Sequence, residues 1–199
     1  MLLVVGGHSR NIGKTSVVAG IIGLLPELQW TAMKITQYGH GVCATEGESC
    51  ACAVEYDHPY ALEEERDRAS GTDTSRFLAA GAVRSYWLRT AQGQLGNALP
   101  AFRRICGDAQ NLIVESNSIL QFVKPDLYLV VVDFSVEDFK ASSLRYLDRA
   151  DGLVVVNVGA VEPRWEGVAN GLWADKPKFF VDPPSYVNPA LRGLVLLAV

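Results

Sequence analysis

The feature that most constrains this chain is a bend near its start. Leu2-Leu3-Val4-Val5 is an apolar, valine-containing run, the pattern of a strand buried on both faces of a sheet, and it runs into Gly6-Gly7. His8-Ser9-Arg10-Asn11-Ile12 then separates Gly7 from Gly13-Lys14-Thr15. Thr15–Leu25 carries the apolar residues of a helix packed on a sheet, and Pro26 stops it. A strand that turns through glycines into a helix leaves main-chain N–H groups free at the helix start, and such groups hold anions. The Walker A pattern asks for a glycine, four free positions and then Gly-Lys-Ser/Thr. Here Gly13-Lys14-Thr15 is intact, His8 stands in the first glycine's place, and the interval from Gly7 is one residue longer. The chemistry tolerates this, because the N–H groups of residues 9–15 are what must curl around phosphate. The expected nucleotide-binding set is Gly7, His8, Ser9, Arg10, Asn11, Ile12, Gly13, Lys14, Thr15 and Ser16. Lys14 is expected to bridge β- and γ-phosphates and the Thr15 hydroxyl to ligate Mg²⁺. His8 either bonds phosphate or fills the missing glycine's place, and Ser9 and Asn11 offer side chains to the γ-phosphate region.

Composition matters here chiefly for what it disfavours. At 199 residues, 49% hydrophobic and 20% charged, the chain has the size and balance of one ordinary globular α/β domain and can bury a core without disulfide or metal. A net charge of −4 argues against a nucleic-acid-coating role, so a bound anion is held by local geometry instead of a general positive field. No stretch approaches the ~20 apolar residues that span a bilayer, and the N-terminal run lacks the length and basic lead of a signal peptide. A reducing, cytoplasmic setting is expected, with no membrane or nucleic-acid partner.

Further along, Gln29–Ile35, Val83–Leu88, Asn111–Glu115, Asp126–Asp133, Gly152–Asn157 and Lys178–Val181 read as strands. Thr74–Gly81, Gly96–Cys106 (with Arg103 and Arg104 in its last turn) and an amphipathic Ser135–Arg149 read as helices, and Gly193–Val199 as a last buried strand. Residues 38–66 show no period. Strands alternating with helices require right-handed crossovers. The expected fold class is therefore α/β: a mainly parallel sheet with helices on both faces, the three-layer αβα architecture of P-loop NTPases. A single domain is expected over residues 1–199, with an irregular Cys/His-containing insertion at about 38–66.

A carboxylate ending a strand beside the phosphate loop can reach Mg²⁺ directly or through water. Glu115 is the first candidate, though it could instead cap a helix, and Asp133 is its rival. Lys34 and Arg76 are the cations placed to meet phosphate or an anionic substrate, surface solvation being the plainer alternative. Asp73 could ligate metal, activate a nucleophile or N-cap the helix that follows. For the base, Asn157 ends an apolar strand, and its amide can both donate and accept toward a purine edge; Asn188 reads more simply as a turn residue. ATP and GTP fit equally.

Three segments carry a resemblance. The loop Gly7–Thr15 is similar to that of dethiobiotin synthetase and its relatives, in the P-loop branch that includes the MobB-type molybdopterin-guanine dinucleotide accessory proteins. Asp67–Ala82 resembles the MobB stretch in which an aspartate, a lysine-aspartate-serine run, an arginine and Ala-Gly-Ala follow the second strand. Asp73, Arg76 and Ala80-Gly81-Ala82 stand in the matching places, Thr72 replaces the lysine, and Lys34 matches the strand-end lysine. Asn111–Glu115 resembles the strand that delivers a glutamate to Mg²⁺ in both families. Two departures stand out: Ser116-Asn117-Ser118 follows Glu115 where both families prefer glycine, and residues 38–66 replace a shorter His-rich segment. The resemblance implies GTP or ATP with Mg²⁺, Lys14, Glu115 and Asp73 in catalytic roles, a protein partner in cofactor biosynthesis, and a homodimer.

Cys43, Cys50 and Cys52 cluster in the insertion with His40 and His58 beside them. Thiolates and imidazoles bind Zn²⁺ and iron–sulfur clusters, but this spacing matches no strong zinc signature. A reduced surface loop, a metal site at His40, Cys43, Cys50 and Cys52, and a redox pair are the alternatives. Cys106 reads as a small core residue. Three functions follow: a slowly hydrolysing accessory protein for molybdenum-cofactor-type biosynthesis, a ligase or kinase acting on a small carboxylate, and a non-catalytic metal-handling module that responds to nucleotide.

Overall fold

A computed structural model describes residues 1–38, 59–157 and 159–199. Its described residues form an eight-stranded sheet: β1 (Leu2–Gly7), β2 (Thr31–Tyr38), β3 (Tyr60–Glu65), β4 (Arg84–Ala91), β5 (Leu112–Glu115), β6 (Leu127–Asp133), β7 (Gly152–Val156) and β8 (Lys178–Val181). The order across the sheet is β3-β4-β2-β5-β1-β6-β7-β8, and every pairing is parallel except β3 with β4. The interior strands are apolar at successive positions because both faces are covered. On one face Leu3, Val5 and Val131 pack with Val17 and Ile21 of α1 (Lys14–Leu24), Phe77 of α2 (Asp73–Ala79), and Leu191 and Val195 of α5 (Ala190–Leu196). On the other face Val4, Val114 and Val130 meet Phe102 and Ile105 of α3 (Leu99–Asp108), along with Leu120 and Leu147. The result is the three-layer α/β fold of P-loop NTPases. No helix among the described residues is long and apolar enough to cross a membrane.

Four elements differ from the sequence reading. Ser135–Arg149 is not one helix. It yields only α4 (Ala141–Leu144) and a single turn at Leu147–Arg149. The Asp133 carboxylate accepts from the Ser135 amide (2.8 Å) and hydroxyl (2.6 Å), which turns the chain at once, and the Lys140 amide is bonded to the His8 carbonyl at 2.8 Å. The local turn at Asp133 and the tertiary bond from Lys140 to His8 together outweigh helical periodicity. The C-terminal apolar run is helical: Leu191 and Val195, four apart, face the core, while Leu197 and Val199 are exposed. α3 begins at Leu99-Pro100, after a separate turn at Leu95–Ala98, and runs on to Asp108, so Arg103 and Arg104 precede its last turn. Tyr60–Glu65, inside the stretch read as irregular, forms the antiparallel edge β3, where Glu63 and Glu64 pair with Arg89 and Arg84 of β4.

β1 lies between β5 and β6, so neighbouring chain connections leave in opposite directions at its carboxyl end. Such a switch point opens a crevice outside the strand ends.

Candidate functional site

That crevice is a cleft of about 1510 Å³. Its floor is the bend between β1 and α1. Gly13 has φ 86°, in the left-handed region, and a Cβ there would lie 2.5 Å from Tyr186 Cε1, so the position requires glycine. Gly6 is constrained by contact instead, since a Cβ would sit 2.2 Å from Asn117 Oδ1. Asn117 grips the loop's first residue through both ends of its amide. Gly7 N–H donates to Oδ1 at 2.9 Å, and Nδ2 donates to the Gly7 carbonyl at 2.9 Å. The Ser116-Asn117-Ser118 departure is thus a clamp on the loop.

His8 and Ser9 are turned away from the cleft. The His8 ring is fully buried, 5.1 Å from Phe139 and 5.2 Å from Trp165 between centroids. Its Nε2 accepts from the Asp133 amide at 3.0 Å, which assigns the proton to Nδ1, bonded to the Asp138 carbonyl at 2.8 Å. Burial holds this imidazole below the usual histidine range. The Ser9 hydroxyl donates to Asp138 Oδ2 at 2.6 Å. Both side chains therefore fasten the loop to the segment after β6, and the first glycine's place is taken by an anchor. Arg10, Asn11, Ile12, Gly13, Lys14, Thr15 and Ser16 line the cleft, Asn11 at φ 53°.

The Lys14 ammonium lies against the Ser9 carbonyl at 2.8 Å, folded back along the loop. Burial pulls it below the usual lysine range, against the attraction of Glu115. Thr15 Oγ1 donates to Glu115 Oε2 at 2.8 Å, joining the helix start to the end of β5 across a hundred positions of sequence. Register explains the convergence: β2 pairs Lys34 with Glu115, so Lys34 Nζ stands 3.6 Å from Glu115 Oε1 and bonds Asp73 Oδ2 on its other side. Burial works against the Lys34 charge, and the two carboxylates more than offset it, leaving the ammonium above the usual range. Arg76 completes the ring, with Nη2 donating to Ser16 Oγ at 2.7 Å and Nη1 standing 3.7 Å from Asp73 Oδ1.

Asp73 does not cap α2. Thr72 does, accepting from the Ser75 amide at 3.1 Å, because Asp73 already has helical geometry and turns its carboxylate to Lys34. Asp133 is spent on the Ser135 turn and does not line the cleft, which leaves Glu115 as the strand-end carboxylate there. Asn157 also stands outside the lining: its Nδ2 donates to Asp182 Oδ1 at 2.9 Å. Asn188 holds a turn before α5, donating to the Phe180 carbonyl at 2.8 Å. His40, Cys43, Cys50 and Cys52 lie outside the described residues. Among the described residues no group of three or more His, Cys, Asp or Glu could hold a metal ion.

Sequence reasoning passed over Asn117, Lys140, Tyr186 and Trp87. The last three join the cleft lining from the segment after β6, the loop before α5 and strand β4. None sits in a motif. The only available signal was the break from glycine at Asn117. The donor set that results, a hydroxyl and a carboxylate beside loop amides and several cations, suits a hard divalent cation bound with a polyphosphate.

No protein-family model matches the chain, and no curated protein matches it significantly. Solved structures align with it to differing degrees. LpxK from Aquifex aeolicus, crystallised with ATP, aligns over 90% of this chain at a TM-score of 0.51 and 16% identity. This chain spans about half of the LpxK chain (53%). HypB from Helicobacter pylori, crystallised with nickel, aligns over 98% of this chain and 85% of its own at 0.48 and 12%. The MinC:MinD cell division complex of Aquifex aeolicus aligns over 92% and 81% at 0.41 and 14%. At 16% identity the likeness to LpxK is one of fold alone.

Proposed function

We propose that this protein binds a purine nucleoside triphosphate with Mg²⁺ in the cleft and hydrolyses it slowly, as an accessory protein in molybdenum-cofactor-type biosynthesis. The observation that carries the nucleotide reading is the Thr15–Glu115 contact at 2.8 Å, a helix-start hydroxyl and a strand-end carboxylate meeting beside the loop lysine. Two oxygen donors so placed fit Mg²⁺, which when bound would neutralise charge on the outer phosphates. The chain's own residues do the rest. Amides at the start of α1 lack intrahelical partners and receive phosphate oxygens. Lys14 exchanges the Ser9 carbonyl for phosphate, and Arg76 and Lys34 add positive charge at the rim. Asp73 is the carboxylate available to take a proton from water. It stands against Lys34 and Arg76, so it must loosen those contacts to act, which supports slow turnover. The accessory role rests on the resemblance of Asp67–Ala82 to MobB, with a protein partner and a homodimer implied.

A second reading, an ATP-dependent ligase or kinase on a small carboxylate, is favoured by the size of the cleft. At about 1510 Å³ it exceeds the roughly 300–1,000 Å³ of ordinary ligand pockets, leaving room for a second substrate near Lys34. Turnover separates the two: phosphate release that stays slow across a panel of small carboxylates supports the accessory role, and fast, substrate-dependent release selects the ligase. Lys14→Ala is expected to weaken Mg²⁺–triphosphate binding by about tenfold or more in calorimetry, since it removes a charge-assisted bond. Unchanged affinity would remove Lys14 from the site.

A further inference from the structure

One cation of the cleft has no role in the site as described above. Lys140 ends the segment joining β6 to α4, and that segment is fastened to the opening residues of the phosphate loop. Its amide donates to the His8 carbonyl at 2.8 Å, His8 Nδ1 bonds the Asp138 carbonyl at 2.8 Å, and Ser9 donates to the Asp138 carboxylate at 2.6 Å. The Lys140 side chain lines the cleft and is half-buried. It makes no ion pair or side-chain hydrogen bond among the described residues. Burial, then the like charges of Lys14 and Arg10, hold its ammonium near a pKa of about 8, with Asp138 the least of the four influences and the one that opposes. A solvated surface lysine would turn outward and escape those charges. An ammonium kept among like charges lowers its energy when an anion joins them.

The position along the loop says which part of the anion. With a triphosphate bound as the nucleotide reading has it, the start of α1 would face the inner phosphates, and the Lys14 side chain runs back from there to the Ser9 carbonyl. The His8–Ser9 end of the loop would then lie toward the outer phosphate, and that is where Lys140 is tied. We propose that Lys140 is a ligand of the terminal phosphate, reaching it from the segment after β6 and making the site discriminate triphosphate from diphosphate. This rests on the nucleotide reading above. It adds a residue outside every motif and assigns the His8–Asp138 and Ser9–Asp138 bonds the task of positioning it.

The test is calorimetric titration of the full chain at neutral pH with Mg²⁺–ATP, ADP, GTP and GDP. It compares the native protein, Lys140→Met and Lys140→Arg, with thermal melts of each without ligand. Lys140→Met should lose triphosphate affinity by about tenfold or more while diphosphate affinity holds, because one charge-assisted bond to one phosphate is removed. Lys140→Arg should retain most of the triphosphate preference. The free Lys140→Met protein should melt no lower than the native one, since it sheds a charge that burial disfavours. Equal losses for tri- and diphosphate, or no loss for either, would overturn the assignment while leaving the nucleotide site standing. If the native protein binds none of the four nucleotides, the nucleotide reading fails and this inference with it.

Discussion

At the scale of single residues, the cleft depends on side chains that hold the loop as well as on those that line it. Asn117 is the clearest case. Its amide makes two bonds to Gly7, and the close packing of Asn117 Oδ1 over Gly6 leaves no space for a Cβ there. Asn117→Ala removes one donor and one acceptor from a part-buried backbone, and each such loss costs about 1–3 kcal/mol. We expect a stability loss of about 2 kcal/mol or more in urea unfolding, together with weaker triphosphate binding as the loop loosens. Stability within experimental error of native would show that the clamp is incidental. Gly13 works on the same principle through backbone conformation: φ 86° strains any side chain, and Tyr186 already occupies the space beside it.

At the scale of elements, periodicity and tertiary bonding competed, and the outcome differed by segment. The C-terminal run, read as a buried strand over Gly193–Val199, follows helical spacing instead: Leu191 and Val195 of α5 are buried, and Leu197 just after it is 88% exposed. Leu191→Ala should therefore lower unfolding stability by about 2–5 kcal/mol, and Leu197→Ser should change it by less than about 0.5 kcal/mol. Equal effects from the two would contradict the helical placement. The segment between β6 and α4 goes the other way. Phe134 and Phe139 pack with Trp165, and the chain between them is spent on the Asp133 turn and the loop anchors, leaving a helix of four residues.

Over the whole molecule, the phosphate loop is braced from both sides of β1, by Asn117 after β5 and by His8 and Asp138 beside β6. The second brace has a pH signature. His8 is held below its ordinary pKa in the folded protein, and the unfolded chain binds the proton near about 6.5. Between the folded value and that one, the unfolded state carries more protons, so stability rises with pH. His8 stabilises the fold fully above about 6.5, and this contribution is lost as pH falls through the folded pKa. Urea midpoints measured from pH 8 down to pH 5 should decline, and His8→Asn should flatten the decline. A native slope that survives His8→Asn would assign it to other groups.

The sequence alone determined the parts that local chemistry dictates: the apolar strands in order, the glycine bend, and the hydroxyl and lysine that begin α1. Glu115 was also legible, because it ends an apolar run; Lys34 was marked only by the resemblance, as a strand-end lysine, and it stands instead in the middle of β2, where register sets it beside Glu115. Only the tertiary structure decided which side chains serve the loop and which serve its supports. His8 and Ser9 lie inside the motif yet bond a segment 130 and 129 positions away, whereas Lys140 and Tyr186 lie in no motif and line the cleft. The physical reason is that strand register and burial select partners by distance in space, and no periodicity along the chain records that distance.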